Sequence, residues 1–269
     1  MSITGLTRIV AVIGDPIDGA RAPEALNAVF GELERDVSAV PIGLGSDGLG
    51  EFVAAARSWR NLDGILVTMP HKAAMAGLVD HLTDQARLTG AVNLVRRDAD
   101  GELWGDQLDG EGFVTSLIER GFTLAGMNVV LLGAGGVARS IAFSLAAAGI
   151  AALTVVNRSE ARALSLVDEI GTAFPALRAA SGEETSVTGA DLVINATSVG
   201  SFVQPGVPLS DLSLLGPTMI VADVVAKPTE TAFLLAATER GATVHTGDLM
   251  QKAQFRSIIA ITTRPTDAA

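Results

Sequence analysis

The sequence contains no cysteine, and this absence excludes several kinds of chemistry. Without a thiol the chain has no disulfide, no thiolate zinc site and no cysteine nucleophile, and it suits a reducing compartment. Basic residues are scarce as well, since 19 Lys and Arg stand against 30 Asp and Glu and leave a formal net charge of −11. Because such a charge repels polyanions, we expect neither a nucleic acid nor a membrane surface as a partner.

Long uninterrupted apolar segments are also missing. The first apolar run, Ile9 to Ile13, stops at Gly14, so it is too short for the core of a signal peptide. The most apolar stretch, Ser140 to Val156, contains Gly149 between an alanine-rich part and a β-branched part. This order favours helix, turn and strand over a membrane span. We therefore expect a cytoplasmic protein.

The remaining composition is typical of a globular α/β protein. The 269 residues are 48% hydrophobic and 18% charged, which is enough chain for two modest domains with cores of their own. Strand-like and helix-like runs alternate, as in parallel sheets with crossover helices. The predicted strands are Ile9–Ile13, Gly64–Thr68, Val129–Leu132, Leu153–Val156, Leu192–Ile194, Met219–Val221 and a strand at Val244. The predicted helices are Pro23–Leu33, Lys72–Leu78, Phe113–Arg120, Val137–Ala148, Ala161–Ile170, Thr231–Arg240 and a last helix from about Leu249.

A glycine-rich loop lies between one of these strands and the next helix. It reads Gly133-Ala134-Gly135-Gly136-Val137-Ala138, a G-x-G-x-x-A pattern. Its glycines allow a tight turn and close approach of a pyrophosphate, which the helix N-terminus can hold through backbone N–H groups. An ordinary glycine-rich turn is the alternative, but the strand before and the helix after are the context that the motif requires. The loop therefore predicts a dinucleotide site.

The end of the following strand predicts which dinucleotide binds. An NAD site usually has Asp or Glu there to hold the ribose 2′-hydroxyl, whereas this chain has Asn157-Arg158-Ser159, with Arg162 one turn later. A guanidinium suits a 2′-phosphate, so we predict NADP. For Arg162 alone, a solvated surface position is an equally good interpretation.

Two boundaries divide the chain, near Asp109–Gly110 and near Gly241–Gly247. We expect residues 1–109 and 241–269 to form a substrate-binding and catalytic domain, and residues 110–240 to form a Rossmann-type NADP-binding domain. The last helix is too short to be a domain, so it should pack back on the first one and place a cleft between the two.

Lys72 and Asp109 carry no signal when each is taken alone, because charged loop residues are common. Together with the cofactor loop, however, the surrounding segments resemble the shikimate and quinate dehydrogenase family over essentially the whole chain. The matching segments are Gly14-Asp15-Pro16-Ile17, Val67-Thr68 with Pro70 and Lys72, Gly90-Ala91-Val92-Asn93, Asp109-Gly110, Gly133-Ala134-Gly135-Gly136, Asn157-Arg158-Ser159, Asn195-Ala196-Thr197-Ser198, Asp223 with Pro228 and Thr231, and Gly247, Met250 and Gln254.

This resemblance implies roles for individual residues. It makes Lys72 and Asp109 the catalytic pair beside a ring hydroxyl, where an ammonium close to a carboxylate can donate or accept the proton that accompanies hydride transfer. The residues implied to place the substrate are Thr68, Asn93 and Gln254. Those implied to contact the nicotinamide or its ribose are Ala196, Thr197, Val224, Gly247 and Met250. For Met250, ordinary core packing is the open alternative.

The sequence departs from the family on the substrate side. Two serines that bind the substrate carboxylate in family members are absent, because the segment reads Gly19-Ala20-Arg21-Ala22-Pro23. Further departures are Leu66 in place of Asn, His71 in place of a frequent Phe, Gln107-Leu108 in place of Asn-Thr, and Ala226 in place of Tyr. Arg21 or His71 could supply a new contact, or each could simply be solvated.

These observations predict an NADP-dependent dehydrogenase of the shikimate dehydrogenase type that acts on a hydroxyl or ketone group of a small polar substrate. A true shikimate dehydrogenase and a non-catalytic NADP-binding sensor are the alternatives, and retention of both Lys72 and Asp109 argues against the sensor. His81 and His245 show no ligand pattern, so we expect no metal. The oligomeric state stays open, with a homodimer as one alternative.

Overall fold

The computed structural model describes residues 3–262, with side chains to residue 259. The described residues divide into two compact units: residues 3–108 with 255–262 form the first, and residues 109–254 form the second. Residues 1–2 and 263–269, which the sequence assigns to the first domain, lie outside the described part. No helix within residues 3–262 is long and apolar enough to cross a membrane.

The second unit is a doubly wound α/β layer structure. Its strands are β7 (Asn128–Leu132), β8 (Ala152–Val156), β9 (Arg178–Ser181), β10 (Leu192–Asn195), β11 (Ile220–Asp223) and β12 (Thr243–His245). All pair in parallel in the order β12-β11-β10-β7-β8-β9, which is the strand order of a dinucleotide-binding Rossmann sheet. Its helices are α5 (Asp109–Glu119), α6 (Gly136–Ala147), α7 (Glu160–Ala173), α8 (Ala232–Glu239) and the first part of α9 (Gly247–Thr262).

The first unit is built on a mixed six-stranded sheet. Its strands are β1 (Arg8–Gly14), β2 (Val37–Gly43), β3 (Leu62–Val67), β4 (His81–Leu82), β5 (Leu94–Arg97) and β6 (Leu103–Asp106), in the order β2-β1-β3-β5-β6-β4. β1 pairs in parallel with β2 and β3, whereas β5 is antiparallel to both of its neighbours. Its helices are α1 (Ala22–Glu32), α2 (Leu49–Ser58), α3 (Lys72–Met75), α4 (Asp84–Thr89) and the part of α9 that begins at Phe255.

Both faces of each sheet are covered, and this accounts for the continuous apolar strands in the sequence. In the second sheet Val129, Leu131 and Ile194 face one core, while Val130 and Val193 face another. Buried apolar area of this kind contributes about 25 cal/mol per Å² to the free energy of folding. Because the strand residues on both faces are buried in these cores, the polar residues available for chemistry lie in the loops that follow the strands.

The predicted fold class is confirmed, and the predicted long strands and helices lie within a few residues of the observed ones. Two details differ. The helix predicted over Lys72–Leu78 ends at Met75. The second boundary falls inside α9, between Gln254 and Phe255, because Thr243–His245 pairs with β11 and so adds the sixth strand to the second sheet.

Candidate active site

The glycine-rich loop lies at the carboxyl end of β7, in the middle of the second sheet. Gly133 has φ +115°, and a Cβ there would lie 3.0 Å from Cγ2 of Thr197 and 3.1 Å from the carbonyl oxygen of Ala196. Only glycine combines this backbone conformation with so close a contact. α6 starts at Gly136, and no side chain caps it. The start of α6 thus offers backbone N–H groups to an anion.

An open cleft of about 620 Å³ in the second unit borders this loop. Its size suits a small-molecule ligand. Most predicted cofactor residues line it, together with residues from the loops after β9 and β10. The lining residues are Leu132, Gly133, Ala134, Gly135, Val156, Asn157, Arg158, Arg162, Glu184, Ala196, Thr197, Ser198, Val199, Gln204 and Pro208.

The arginines predicted to bind a 2′-phosphate both face this cleft. Arg158 follows β8 and Arg162 is in the first turn of α7, and both side chains are exposed. Asn157 Nδ2 donates to the carbonyl oxygen of Ser159, the residue that precedes α7, at 2.9 Å. Arg162 also lines a smaller recess of about 270 Å³, where Arg139 of α6 pairs with Glu169 of α7.

Other predicted cofactor residues lie away from the lining of this cleft. Val137 is half-buried and Ala138 is fully buried against the core. Val224 donates its backbone N–H to the carbonyl oxygen of Asn195 at 3.0 Å. Gly247 begins α9 and is buried. Met250 is 5% exposed and belongs to the hydrophobic core of the second unit.

In the first unit, three predicted site residues meet at the carboxyl end of β3. The backbone N–H of Val67 donates to the carbonyl oxygen of Asn93 at 2.9 Å, so Asn93 lies beside the residue that precedes Thr68. Lys72 opens the single turn of α3, and its carbonyl oxygen accepts from Val92 N at 2.9 Å. The side chains of Thr68, Lys72 and Asn93 are half-buried.

The remaining two predicted site residues are bonded to each other in the second unit. Asp109 is the first residue of α5 and is 6% exposed. Gln254 Nε2 donates to its Oδ1 at 2.9 Å. The residue before Asp109 is also fixed, because Leu108 N donates to Oδ1 of Asn93 at 2.8 Å. The position of Asp109 is therefore defined by hydrogen bonds on its own side chain and on the preceding residue.

The start of α5 is packed very tightly against α6. A Cβ on Gly110 would lie 2.1 Å from the carbonyl oxygen of Ser140 and 2.4 Å from Oγ of Ser144. Gly110 N donates to Oγ of Ser140 at 2.8 Å. Only a residue without a side chain fits here, and this explains why the predicted aspartate is followed by glycine.

The departures from the family occupy two kinds of environment. His71 is 1% exposed and its Nε2 lies 2.6 Å from the carbonyl oxygen of Leu44, so it fills a buried position in the first unit. Arg21 is exposed and pairs with Glu24 on the same helix at 3.1 Å. Ala20 and Ala22 are half-buried and bring no hydroxyl to the start of α1.

Two buried polar clusters in the second unit were not given roles by sequence reasoning. Asp223, Asn195 and Thr231 are all fully buried, and Asn195 and Thr231 each donate a hydrogen bond to the carboxyl group of Asp223. Burial raises the pKa of Asp223, opposed by the hydrogen bonds that it accepts. The signal available in the sequence was a polar residue at the end of two otherwise apolar strands.

The second cluster joins β12 to α5. Ser116 Oγ donates to the carbonyl oxygen of Phe113 at 2.7 Å and accepts from His245 Nε2 at 2.9 Å. His245 is fully buried, and burial, reinforced by the Arg120 cation, lowers its pKa to about 4. His245 is therefore neutral at physiological pH and acts as a structural donor.

No cluster of three or more His, Asp or Glu side chains among the described residues could hold a metal ion. His81, on β4, pairs instead with Glu102, with 2.7 Å between Nε2 and Oε2.

Comparison with known proteins adds to this geometry. Residues 12–95 match the family model described as shikimate dehydrogenase substrate binding domain, and residues 116–209 match shikimate / quinate 5-dehydrogenase. Shikimate dehydrogenase (NADP(+)) of Geobacter metallireducens is 37% identical over 98% of this chain and 93% of its own.

Solved structures agree over nearly the full length. Shikimate 5-dehydrogenase from Listeria monocytogenes, in complex with shikimate and NAD, has a TM-score of 0.91 at 31% identity and covers 99% of this chain and 96% of its own. The 5-ketofructose reductase of a Gluconobacter strain has a TM-score of 0.88 at 30% identity, with 96% and 93% covered. The chain belongs to the shikimate/quinate dehydrogenase family, as the order of its motifs predicts.

Proposed function

We propose that this protein is an NADP-dependent dehydrogenase that interconverts a hydroxyl and a ketone group on a small polyhydroxylated substrate, with Lys72 and Asp109 as the catalytic pair. The observation that carries the proposal is the fixed carboxylate of Asp109, buried at the start of α5 and bonded to Gln254. A protein that only binds a nucleotide has no need for a second-unit carboxylate and a lysine at the end of β3.

The cleft beside Gly133 supports NADP as the cofactor. The close approach at Gly133 and the uncapped start of α6 suit a pyrophosphate. Arg158 and Arg162 bring two cations to the side where a 2′-phosphate is expected, and the three residues directly after β8 are Asn157, Arg158 and Ser159, none of them a carboxylate that could bind a 2′-hydroxyl. The Geobacter relative is named an NADP(+) enzyme, whereas the Listeria structure carries NAD, so the arginines decide the choice here.

The chemistry divides between cofactor and protein. When bound, the nicotinamide of NADP(H) would supply or accept the hydride. In the reductive direction, the ammonium of Lys72 donates a proton to the carbonyl oxygen; in the oxidative direction, its neutral amine takes the alcohol proton. The carboxylate of Asp109 stabilises the ammonium, and Gln254 fixes the orientation of that carboxylate. Thr68 and Asn93 orient the substrate from the end of β3.

The substrate that we propose differs from shikimate. Ala20 and Ala22 offer no hydroxyl to a carboxylate, and Arg21 points to Glu24. The family fold also serves other carbonyl compounds, since one similar structure is a 5-ketofructose reductase. A true shikimate dehydrogenase is the second candidate, favoured by the name of the Geobacter relative.

A screen of polyols, cyclic hydroxy acids and their ketones with NADP+ or NADPH tests this function. Turnover is followed at the NADPH absorbance band. With the substrate so found, Lys72→Ala should reduce turnover by about a hundredfold or more, the usual contribution of an acid/base group, and leave cofactor affinity unchanged.

Lys252→Ala is the matched control, because Lys252 is an exposed lysine paired with Asp248 on α9. It should retain full turnover. Near-normal turnover of Lys72→Ala would rule out the role given to Lys72, and binding of NADPH without turnover of any compound would favour a sensor.

A further inference from the structure

Asp223 is a buried carboxyl group whose hydrogen-bond donors are all neutral. Its Oδ1 accepts from Asn195 Nδ2 at 3.0 Å and from Val225 N at 2.9 Å, and its Oδ2 accepts from Thr231 Oγ1 at 2.7 Å. Its side chain is fully buried at the end of β11. Burying a carboxylate destabilises a fold unless hydrogen bonds compensate the lost hydration. The three hydrogen bonds to Asp223 supply that compensation, and we therefore ask what this carboxylate contributes to the function.

The partner Asn195 carries this effect to a neighbouring loop. Asn195 and Asp223 are directly opposite each other on the paired strands β10 and β11. Asn195 Nδ2 also donates to the carbonyl oxygen of Val199 at 2.9 Å. Its Oδ1 accepts from Thr197 N at 3.1 Å and Thr197 Oγ1 at 2.7 Å. One amide side chain thus holds the loop 196–199 at both ends.

All four residues of this loop line the cleft beside Gly133. We propose that Asp223 is a positioning residue, which acts through Asn195 to hold the loop 196–199 in the conformation that binds the cofactor. The proposal rests on the assignment of this cleft to NADP.

The physical reason lies in the two-sided chemistry of an asparagine side chain. An amide can present either its oxygen or its NH₂ group to a neighbour, whereas an ionised carboxylate only accepts. Asp223 therefore selects the orientation in which Asn195 Nδ2 faces β11 and Oδ1 faces Thr197. Thr231 keeps Oδ2 satisfied, and its hydroxyl accepts from Leu234 N at the start of α8.

The test compares variants of the full chain by titration with NADP+ and NADPH well below their melting temperatures. Asp223→Asn should raise both dissociation constants by about tenfold or more, because loss of one hydrogen bond to a charged group corresponds to at least that factor. Thr231→Val should raise them by a smaller factor. Thr231→Ser keeps the hydroxyl and should restore affinity to within about twofold of the unchanged protein.

Asp63→Asn is the matched control, because Asp63 is a buried acid of the first unit that pairs with Arg8. It should lower the melting temperature without changing either dissociation constant. A lowered melting temperature with unchanged cofactor affinity in Asp223→Asn would make Asp223 a structural residue only and overturn the proposal. If Asp223→Asn does not fold, equal affinities of Thr231→Val and Thr231→Ser overturn it.

Arg158→Ala separates this proposal from the function on which it rests. Unchanged NADP affinity in Arg158→Ala means that NADP does not use this cleft, and the proposed function itself is then at fault. Weakened NADP binding in Arg158→Ala together with normal binding in Asp223→Asn contradicts only the role given to Asp223.

Discussion

Gln254 donates a hydrogen bond of 2.9 Å from its Nε2 atom to Oδ1 of Asp109. This bond joins the first residue of α5 to α9 across 145 positions of the sequence. Asp109 is one of the two residues to which we assign the proposed reaction.

Removal of this bond should affect catalysis more than binding. Gln254→Ala should lower kcat by about tenfold, since Asp109 loses an interaction of roughly 1.5 kcal/mol that keeps it aligned. Asp109→Asn should lower kcat further, because the function that we propose requires the negative charge of this carboxylate. Steady-state kinetics with the substrate found by screening measure both effects. Gln251→Ala, an exposed glutamine on the same helix, is the control, and an equal loss there contradicts the role of Gln254.

Arg158 should determine the choice between NADP and NAD. The guanidinium at the end of β8 can bind a 2′-phosphate, so we expect tighter binding of NADP(H) than of NAD(H). Arg158→Ala should remove most of this preference by weakening NADP binding about tenfold or more, with NAD binding unchanged. Calorimetry measures the affinities of the unchanged protein and of Arg158→Ala for NADP and for NAD. Arg178→Ala, at an exposed position on β9, is the control and should keep the preference for NADP. Equal affinity for both cofactors in the unchanged protein would contradict the role given to Arg158.

Shikimate should be a poor substrate for this protein. Its carboxylate would meet Ala20 and Ala22 in place of two hydroxyl donors, and each missing contact to a charged group costs about 1.5–3 kcal/mol. Because each 1.4 kcal/mol is roughly a factor of ten, we expect kcat/KM for shikimate well below about 10⁴ M⁻¹s⁻¹.

The double variant Ala20→Ser, Ala22→Ser should recover part of this activity, measured by steady-state kinetics with shikimate and quinate. Ala28→Ser, an exposed position on the same helix, should recover none. If the unchanged protein already oxidises shikimate at the usual enzyme rate, the ordinary family activity replaces the function proposed here.

His245 should make the protein less stable in mild acid. Its pKa is about 4 in the folded chain, below its ordinary value of 6.5, because it is buried near Arg120. Between these pH values the unfolded chain binds a proton that the folded chain does not, so stability falls as the pH falls from 6.5 to 4. The loss from this group alone amounts to at most roughly 3 kcal/mol.

Urea unfolding at several pH values measures this loss. His245→Gln keeps a donor for Ser116 but does not titrate, so its stability should fall less between neutral pH and the acidic end of this range. An identical pH dependence in the two proteins would falsify the assignment to His245.

The sequence predicts the main sheet strands because both of their faces are buried. It does not predict β2, whose Pro41 and exposed residues belong to an edge strand. It also misses the short antiparallel strands β5 and β6, of which β5 ends in Arg96 and Arg97. Single-sequence patterns identify continuous apolar runs well and short, partly polar strands poorly.

The candidate site divides along a similar line. The loop beside Gly133 and the residues around Lys72 are contiguous motifs, and they can be recognised from the sequence. The bond between Asn195 and Asp223 depends instead on the register of two neighbouring strands 28 residues apart. Such a contact follows from tertiary structure, since nothing local requires these two side chains to meet.

The hydrogen bond between Asp109 and Gln254 also has a topological meaning, because these residues are the first and last of the second unit. A continuous segment whose two ends lie close together can be inserted into another chain without distorting the segment or the chain that receives it. An exchange of residues 109–254 between family members should therefore be tolerated by the fold. The exchanged segment would bring its own cofactor preference and its own Asp109 and Gln254, whereas the protein that receives it would supply Lys72.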